Sequence, residues 1–346
     1  MALERHVISS IKRKMSFTQP LLEGNRLVLA RLLTQVENDS PGARDALVEL
    51  FPHTGRAHLI GVTGAPGTGK SSLVNQLALG YRRNANKKVA IVAVDPSSPF
   101  TGGAVLGDRV RMRDLSGDEG VFIRSMAARG SLGGIAQKTA SLVQVFDAAG
   151  YEIIIIETVG AGQSEVDVAR LAHTTIVVEA PGLGDEIQAI KAGILEIADV
   201  LVINKADRPG VENTERALRS TLELAHPTQR IFRHHGKTME VSAPATDRDL
   251  WIPLIIKTVA TEGKGIDELI EAIAKHAVHL QRSGDRAARD RARLESEMEA
   301  LLQEALMNRF MEDMPHENYE EILGNVVNRN LSPYEAVKLL MNGTPK

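Results

Sequence analysis

The stretch Gly64-Ala65-Pro66-Gly67-Thr68-Gly69-Lys70-Ser71 satisfies the pattern G-x-x-x-x-G-K-[ST]. Its neighbours decide what that match means. The run His58-Leu59-Ile60-Gly61-Val62-Thr63 before it reads as a short strand, and Ser72-Leu73-Val74-Asn75-Gln76-Leu77 after it as a helix start. Strand, glycine loop and helix in that order make a phosphate-binding loop. Glycine lets backbone N–H groups turn inward around phosphate oxygens, and the helix N-terminus adds the positive end of its dipole. In such a loop Lys70 reaches the β- and γ-phosphates and the Ser71 hydroxyl sits on Mg²⁺. Gly64 through Ser72 are the expected phosphate-binding set.

Outward from this loop, short apolar runs alternate with longer amphipathic ones from residue 56 to 280. Strands are expected at 59–63, 89–94, 121–124, 153–157, 175–179 and 200–203, with a last one near 254–259. Ile153-Ile154-Ile155-Ile156 is apolar without interruption, as in a parallel strand covered on both faces by helices. The fold class is therefore α/β: a P-loop domain whose mainly parallel sheet is flanked by helices, with ligand at the C-terminal ends of the strands. Helical extensions are expected on both sides of it. Residues 1–55 carry a helix through Asn25–Glu37, stopped by Pro41-Gly42, and a second through Ala43–Leu50. In residues 281–346, Leu294, Met298, Leu302, Leu306 and Phe310 fall four apart, an apolar stripe suited to a second subunit or to packing back on the core.

Asn204-Lys205-Ala206-Asp207 follows the apolar run Val200–Ile203. Asp207 can accept two hydrogen bonds from the guanine edge, a pattern adenine cannot donate, and a buried polar group that must be paired discriminates strongly. Asn204 braces the loop and the Lys205 stem covers the base face. A phosphate loop together with this guanine motif reads as a GTPase. Two segments compete for the last base-contacting loop: Ser242-Ala243, and Thr258-Val259-Ala260 ahead of a helix beginning near Ile266. Position favours the second, which assigns Val259 and Ala260.

Three acidic residues are candidates beside Mg²⁺, which takes only one or two carboxylates next to phosphates. Asp95 ends a strand, Asp108 closes the Pro/Ser/Gly-rich loop that follows, and Glu157 ends the Ile153–Ile156 strand. With Ser71 they form the expected metal set, and with Lys70 the expected catalytic set. Gly160, three residues beyond Glu157, can sense the γ-phosphate through its N–H, and Gln163 is a candidate to orient the attacking water. His234-His235 reads as a surface loop rather than a metal site.

Composition narrows the remaining classes. The net charge of −3 argues against a nucleic-acid partner. The absence of cysteine excludes disulfides, thiolate zinc sites and a cysteine nucleophile. No apolar run approaches the ~20 residues of a membrane span, and residues 1–8 carry no secretory h-region, so a cytoplasmic protein is expected.

Four segments in this order resemble the MeaB-like G-protein chaperones, the group that includes the methylmalonic aciduria type A protein. They are 64–71, Val94-Asp95-Pro96-Ser97-Ser98 through Gly107-Asp108, Glu157-Thr158-Val159-Gly160-Ala161-Gly162-Gln163-Ser164-Glu165, and 204–207. The resemblance spans roughly residues 20–346. It implies a homodimeric GTPase that escorts an adenosylcobalamin-dependent acyl-CoA mutase, gating cofactor delivery and protecting or reactivating the mutase. Pro181 through Lys191 looks like the family's third switch, making Asp185 and Lys191 coupling candidates, with Arg111 of the first switch. One departure is Val259, where relatives tend to carry Ser before the Ala of the last guanine loop. Two other readings share the phosphate chemistry. A metal-insertion GTPase for nickel or cobalt should carry Cys/His ligands near the phosphate loop, and a transport-linked kinase should accept ATP despite Asp207.

Overall fold

A computed structural model describes residues 17–96, 112–115, 117–128, 132–158, 170–182, 197–225, 230–234, 237–241 and 250–342. The chain divides into two compact units, Met1–Arg293 and Leu294–Lys346.

The first unit is built on seven strands: β1 (His58–Thr63), β2 (Val89–Pro96), β3 (Val121–Ala128), β4 (Ile153–Thr158), β5 (Thr174–Glu179), β6 (Val200–Asn204) and β9 (Leu254–Thr258). Their order across the sheet is β3-β2-β4-β1-β5-β6-β9, and every pairing is parallel. Each expected strand is present at its place. β1, β4, β5 and β6 are buried on both faces almost throughout, which is why their sequences read as unbroken apolar runs.

Successive side chains of a strand leave on opposite faces, and the core follows that alternation. Ile154 and Ile156 join a cluster with helices α1 (Thr18–Leu22), α2 (Arg26–Glu37), α3 (Pro41–Leu50) and α5 (Leu132–Ala148). Ile153 and Ile155 join the opposite cluster with α4 (Lys70–Ala85) and α7 (Ile266–Ser283). A third cluster packs α6 (Val211–Ala225) against β5 and β6. Residues 17–50 thus supply much of the outer wall of one face of the sheet.

Two expectations about local structure need correction. Pro41-Gly42 does not stop a helix but opens one. α2 ends at Glu37, where the N–H of Asn38 bonds to Thr34 O and Asp39 turns back at φ 51°. Pro41 is then the first residue of α3, where its missing N–H costs nothing. The histidine pair is not simply a loop either: His234 is the last residue of β7 (Arg230–His234), paired antiparallel with β8 (Lys237–Val241) in a separate hairpin. His235 lies outside the described residues.

The second unit holds most of α8 (Asp285–Asp313), then α9 (His316–Val327) and α10 (Pro333–Asn342). No residue of α8 is buried, and Met298, Leu302 and Leu306 are each more than half exposed.

Candidate active site

The phosphate loop leaves the C-terminal end of β1 and runs into α4, whose first residue is Lys70. Two of its glycines are demanded by space. A Cβ on Gly64 would stand 2.2 Å from Val178 O, and one on Gly69 would stand 2.4 Å from Asn204 Nδ2. Both also have φ in the left-handed region, +136° and +93°. The loop is therefore pressed against β5 on one side and the β6 turn on the other.

Lys70 is only 6% exposed, and its Nζ donates to Gly64 O at 2.7 Å and Ala65 O at 3.0 Å. This holds a buried ammonium inside the loop, where a phosphate chain would lie. Thr68 Oγ1 donates to Ala65 O at 2.9 Å and rigidifies the same turn. Ser71 Oγ donates to Glu157 Oε1 at 2.6 Å. Glu157 is the fifth residue of β4, buried, and aligned with Val62 of β1 and Ala93 of β2. Asp95 stands two residues beyond Ala93, at the same end of the sheet.

Asn204 ties the guanine motif to the phosphate loop. Its Nδ2 donates to Thr68 O at 2.8 Å, while its Oδ1 accepts from Thr258 Oγ1 and from the Ala260 N–H, each at 3.1 Å. All three partners are buried, so the carboxamide is held on both its nitrogen and its oxygen side. Lys205, at φ 57°, donates from Nζ to Gly67 O at 2.5 Å, which lays its stem across the gap to the loop. Asp207 is exposed beyond it. Val259 and Ala260 are brought against this motif by β9, and the Val259 N–H bonds to Lys264 O at 3.1 Å to close a tight turn. Gly265 ends that turn; a Cβ there would stand 2.0 Å from Lys257 O.

The C-terminal edge of the sheet thus gathers Gly64–Ser72, Glu157, Asn204–Asp207 and Val259–Ala260. Asp108, Arg111, Gly160, Gln163, Asp185, Lys191, Ser242 and Ala243 lie outside the described residues. Thr258 is the site residue that composition and spacing did not single out by role. The only signal for it is its position directly before Val259, because its bond to Asn204 requires knowing that β9 lies beside β6.

Convergence of the Ser71 hydroxyl and the Glu157 carboxylate suits a hard cation that keeps most of its waters. Among the described residues no three His, Cys, Asp or Glu side chains are grouped to hold a metal. That is compatible with a site sharing its ligands with phosphate.

The sequence model of the family described as methylmalonyl Co-A mutase-associated GTPase MeaB matches residues 29–315. The chain belongs to the MeaB family. Similar proteins agree with this along almost the whole length. A Pyrococcus horikoshii protein named as a GTPase is 43% identical over 321 residues, covering 93% of this chain and 95% of the relative. GTPase ArgK of Escherichia coli is 35% identical, covering 92% and 93%. The mitochondrial methylmalonic aciduria type A homolog of Caenorhabditis elegans is 32% identical over 77% of this chain and 66% of its own. Among solved structures, one of an LAO/AO transport system kinase superposes with TM-score 0.66 at 30% identity, covering 95% of this chain and 96% of that one. This MeaB-family protein is a GTP hydrolase with the fold of a P-loop GTPase.

The opposite edge of the sheet holds a second polar cluster. Arg289 Nη1 and Nη2 grip the two oxygens of Asp199, each at 2.8 Å, and the Thr175 N–H donates to Asp199 Oδ2 at 2.8 Å. The Thr174 hydroxyl sits between His58 Nε2 and His276 Nδ1, 2.9 Å from each. His173 accepts the Leu59 N–H at Nδ1, so its proton is on Nε2, which faces Asp290 Oδ1 at 3.0 Å. Burial pushes the His58 pKa down to about 3 and that of His276 to about 4. Burial also raises Asp290, but its bond from His173 and the nearby Arg293 prevail and leave it at about 2.

Proposed function

We propose that this GTPase acts as a G-protein chaperone for an adenosylcobalamin-dependent acyl-CoA mutase, gating cofactor delivery and protecting or reactivating the mutase. The observation that carries this reading is the match to a mutase-associated GTPase family across residues 29–315. The name of the nematode relative points the same way.

In this reading Lys70 and the N–H groups of Gly64–Ser72 hold the β- and γ-phosphates. Asn204 keeps the guanine loop docked on the phosphate loop, Asp207 pairs with the base edge, and Val259–Ala260 back it. Ser71, Glu157, Asp95 and Asp108 would hold Mg²⁺, which when bound supplies neutralisation of charge developing on the phosphates. Transfer to water needs positioning and charge stabilisation more than a strong base, so basal turnover is slow. Nucleotide state would reach the mutase through Arg111, Asp185 and Lys191, and by reciprocity the mutase would change nucleotide affinity. The exposed stripe Leu294–Phe310 is the proposed homodimer surface.

GTP hydrolysis measured with and without candidate mutases tests this. Stimulation by one mutase, with ATP inert, is expected. Asp185→Ala should keep basal turnover and lose the stimulation; full stimulation in that variant would refute the switch assignment. ATP turnover coupled to phosphorylation of an acceptor would instead favour a transport-linked kinase.

A further inference from the structure

A cavity of about 310 Å³ opens at the N-terminal ends of β2, β3 and β4, the end of the sheet away from the phosphate loop. Its lining combines apolar Leu21, Leu29 and Ala149 with cationic Arg26, Arg82 and Lys88. Glu119 is the single carboxylate among its lining residues. The two guanidinium groups are fixed rather than mobile. Arg26 donates to Glu119 O and, at 2.9 Å, to Val121 O. Arg82 donates from Nε to Asp118 at 2.8 Å and from Nη1 to Lys87 O at 2.9 Å, leaving Nη2 without a protein acceptor among the described residues. A Cβ on Gly120 would stand 2.1 Å from the Arg82 guanidinium carbon, so glycine is what lets that group lie along the cavity floor.

Tyr151 adds a hydroxyl donor to this lining. It is 5% exposed, packs edge-on to Phe146 with ring centroids 5.4 Å apart, and lines this cavity. Its hydroxyl bonds to no described protein group and is not sealed off from solvent, so it is open to the cavity it lines. Burial raises its pKa, so it stays a neutral O–H donor. A hydroxyl donor that shares one cavity with Arg26, Arg82 and the exposed Lys88, and with aliphatic Leu21 and Leu29, is complementary to one chemistry.

We propose that this cavity binds a small organic anion, a carboxylate on a compact apolar body, with Tyr151, Lys88 and Arg82 receiving the carboxylate and Leu21 and Leu29 covering the body. The site is separate from the nucleotide machinery and does not depend on the mutase reading.

The probe is benzoate, titrated by calorimetry and by ligand-observed NMR into the full chain held in excess GDP. Benzamidine, the cation of the same shape, and inorganic phosphate serve as controls. Benzoate should bind and benzamidine should not. Lys88→Glu, at an exposed position, and Tyr151→Phe, which keeps the ring packing, should each raise the benzoate Kd at least ~tenfold. Their thermal transitions should stay those of the parent protein. No benzoate binding, equal binding by both variants, or phosphate binding as tight as benzoate would each overturn the proposal.

Discussion

The two ends of the parallel sheet are both rich in buried polar groups, yet they are built on opposite principles. At the C-terminal end the polar atoms sit on turns that only glycine can make, and they are aimed along the loop by backbone carbonyls: Lys70 on Gly64 and Ala65, Lys205 on Gly67, Asn204 on Thr68. At the N-terminal end the polar atoms bind one another across strand starts and the helices α7 and α8. The strongly lowered values of His58, His276 and Asp290 all lie at the second end, away from every nucleotide motif. Perturbed titration often marks a functional site; in this molecule it marks a structural clamp. What distinguishes the chemical end is backbone at Gly64, Gly69 and Gly265 that combines a left-handed φ with no room for a Cβ.

The largest effect should come from Lys70→Ala. Losing one preorganised cation from a phosphate site costs on the order of 100- to 1,000-fold in turnover, and GTP hydrolysis should fall by that much while the circular dichroism spectrum is kept. Next is Asp207→Asn. Two bonds to a charged acceptor, at about 1.5 kcal/mol each, amount to roughly 100-fold in GTP affinity. Because Asp207 is exposed, thermal stability should not change. Phosphate release checks the first, and a nucleotide titration followed by fluorescence with a thermal melt checks the second.

Asp199→Ala probes the other end. Breaking a buried pair by removing one partner costs about 3–5 kcal/mol, and the lower figure is expected because Arg289 reaches solvent and can rehydrate. Urea unfolding would read this as a lowered midpoint with an unchanged slope.

The smallest effect is on pH dependence. His58 and His276 have folded pKa values below the ordinary 6.5, so the unfolded chain binds more protons than the native one in that window. Their contribution to stability is complete above about pH 6.5 and is lost as pH falls toward 4. Each adds a slope of about 1.4 kcal/mol per pH unit. His58→Gln should remove one such slope between pH 6 and 5 in urea titrations. An unchanged slope would show that His58 is already protonated or hydrated in the native protein.

Most of the fold was legible in the sequence because its strands are parallel and covered on both faces, which writes them as runs such as Ile153–Ile156. The hairpin β7–β8 was not, since Arg230-Ile231-Phe232-Arg233-His234 is neither an alternating pattern nor an unbroken apolar run. Pro41 misled because the same residue that breaks a helix interior is favoured at a helix start. At the site, the phosphate loop and guanine motif announce themselves because each is contiguous. The bond from Thr258 to Asn204 and the fork from Arg289 to Asp199 join residues 54 and 90 positions apart. Only the tertiary fold, sheet order in the first case and the seat of α8 in the second, brings such residues together.

The contrast between the two ends is tested most directly by GTP turnover per folded molecule in Lys70→Ala and Asp199→Ala, assayed side by side at a temperature where both remain folded. Turnover lost in Lys70→Ala and kept near the parent level in Asp199→Ala is the expected result. Turnover lost in a folded Asp199→Ala protein would contradict it and make the N-terminal clamp part of the catalytic machinery.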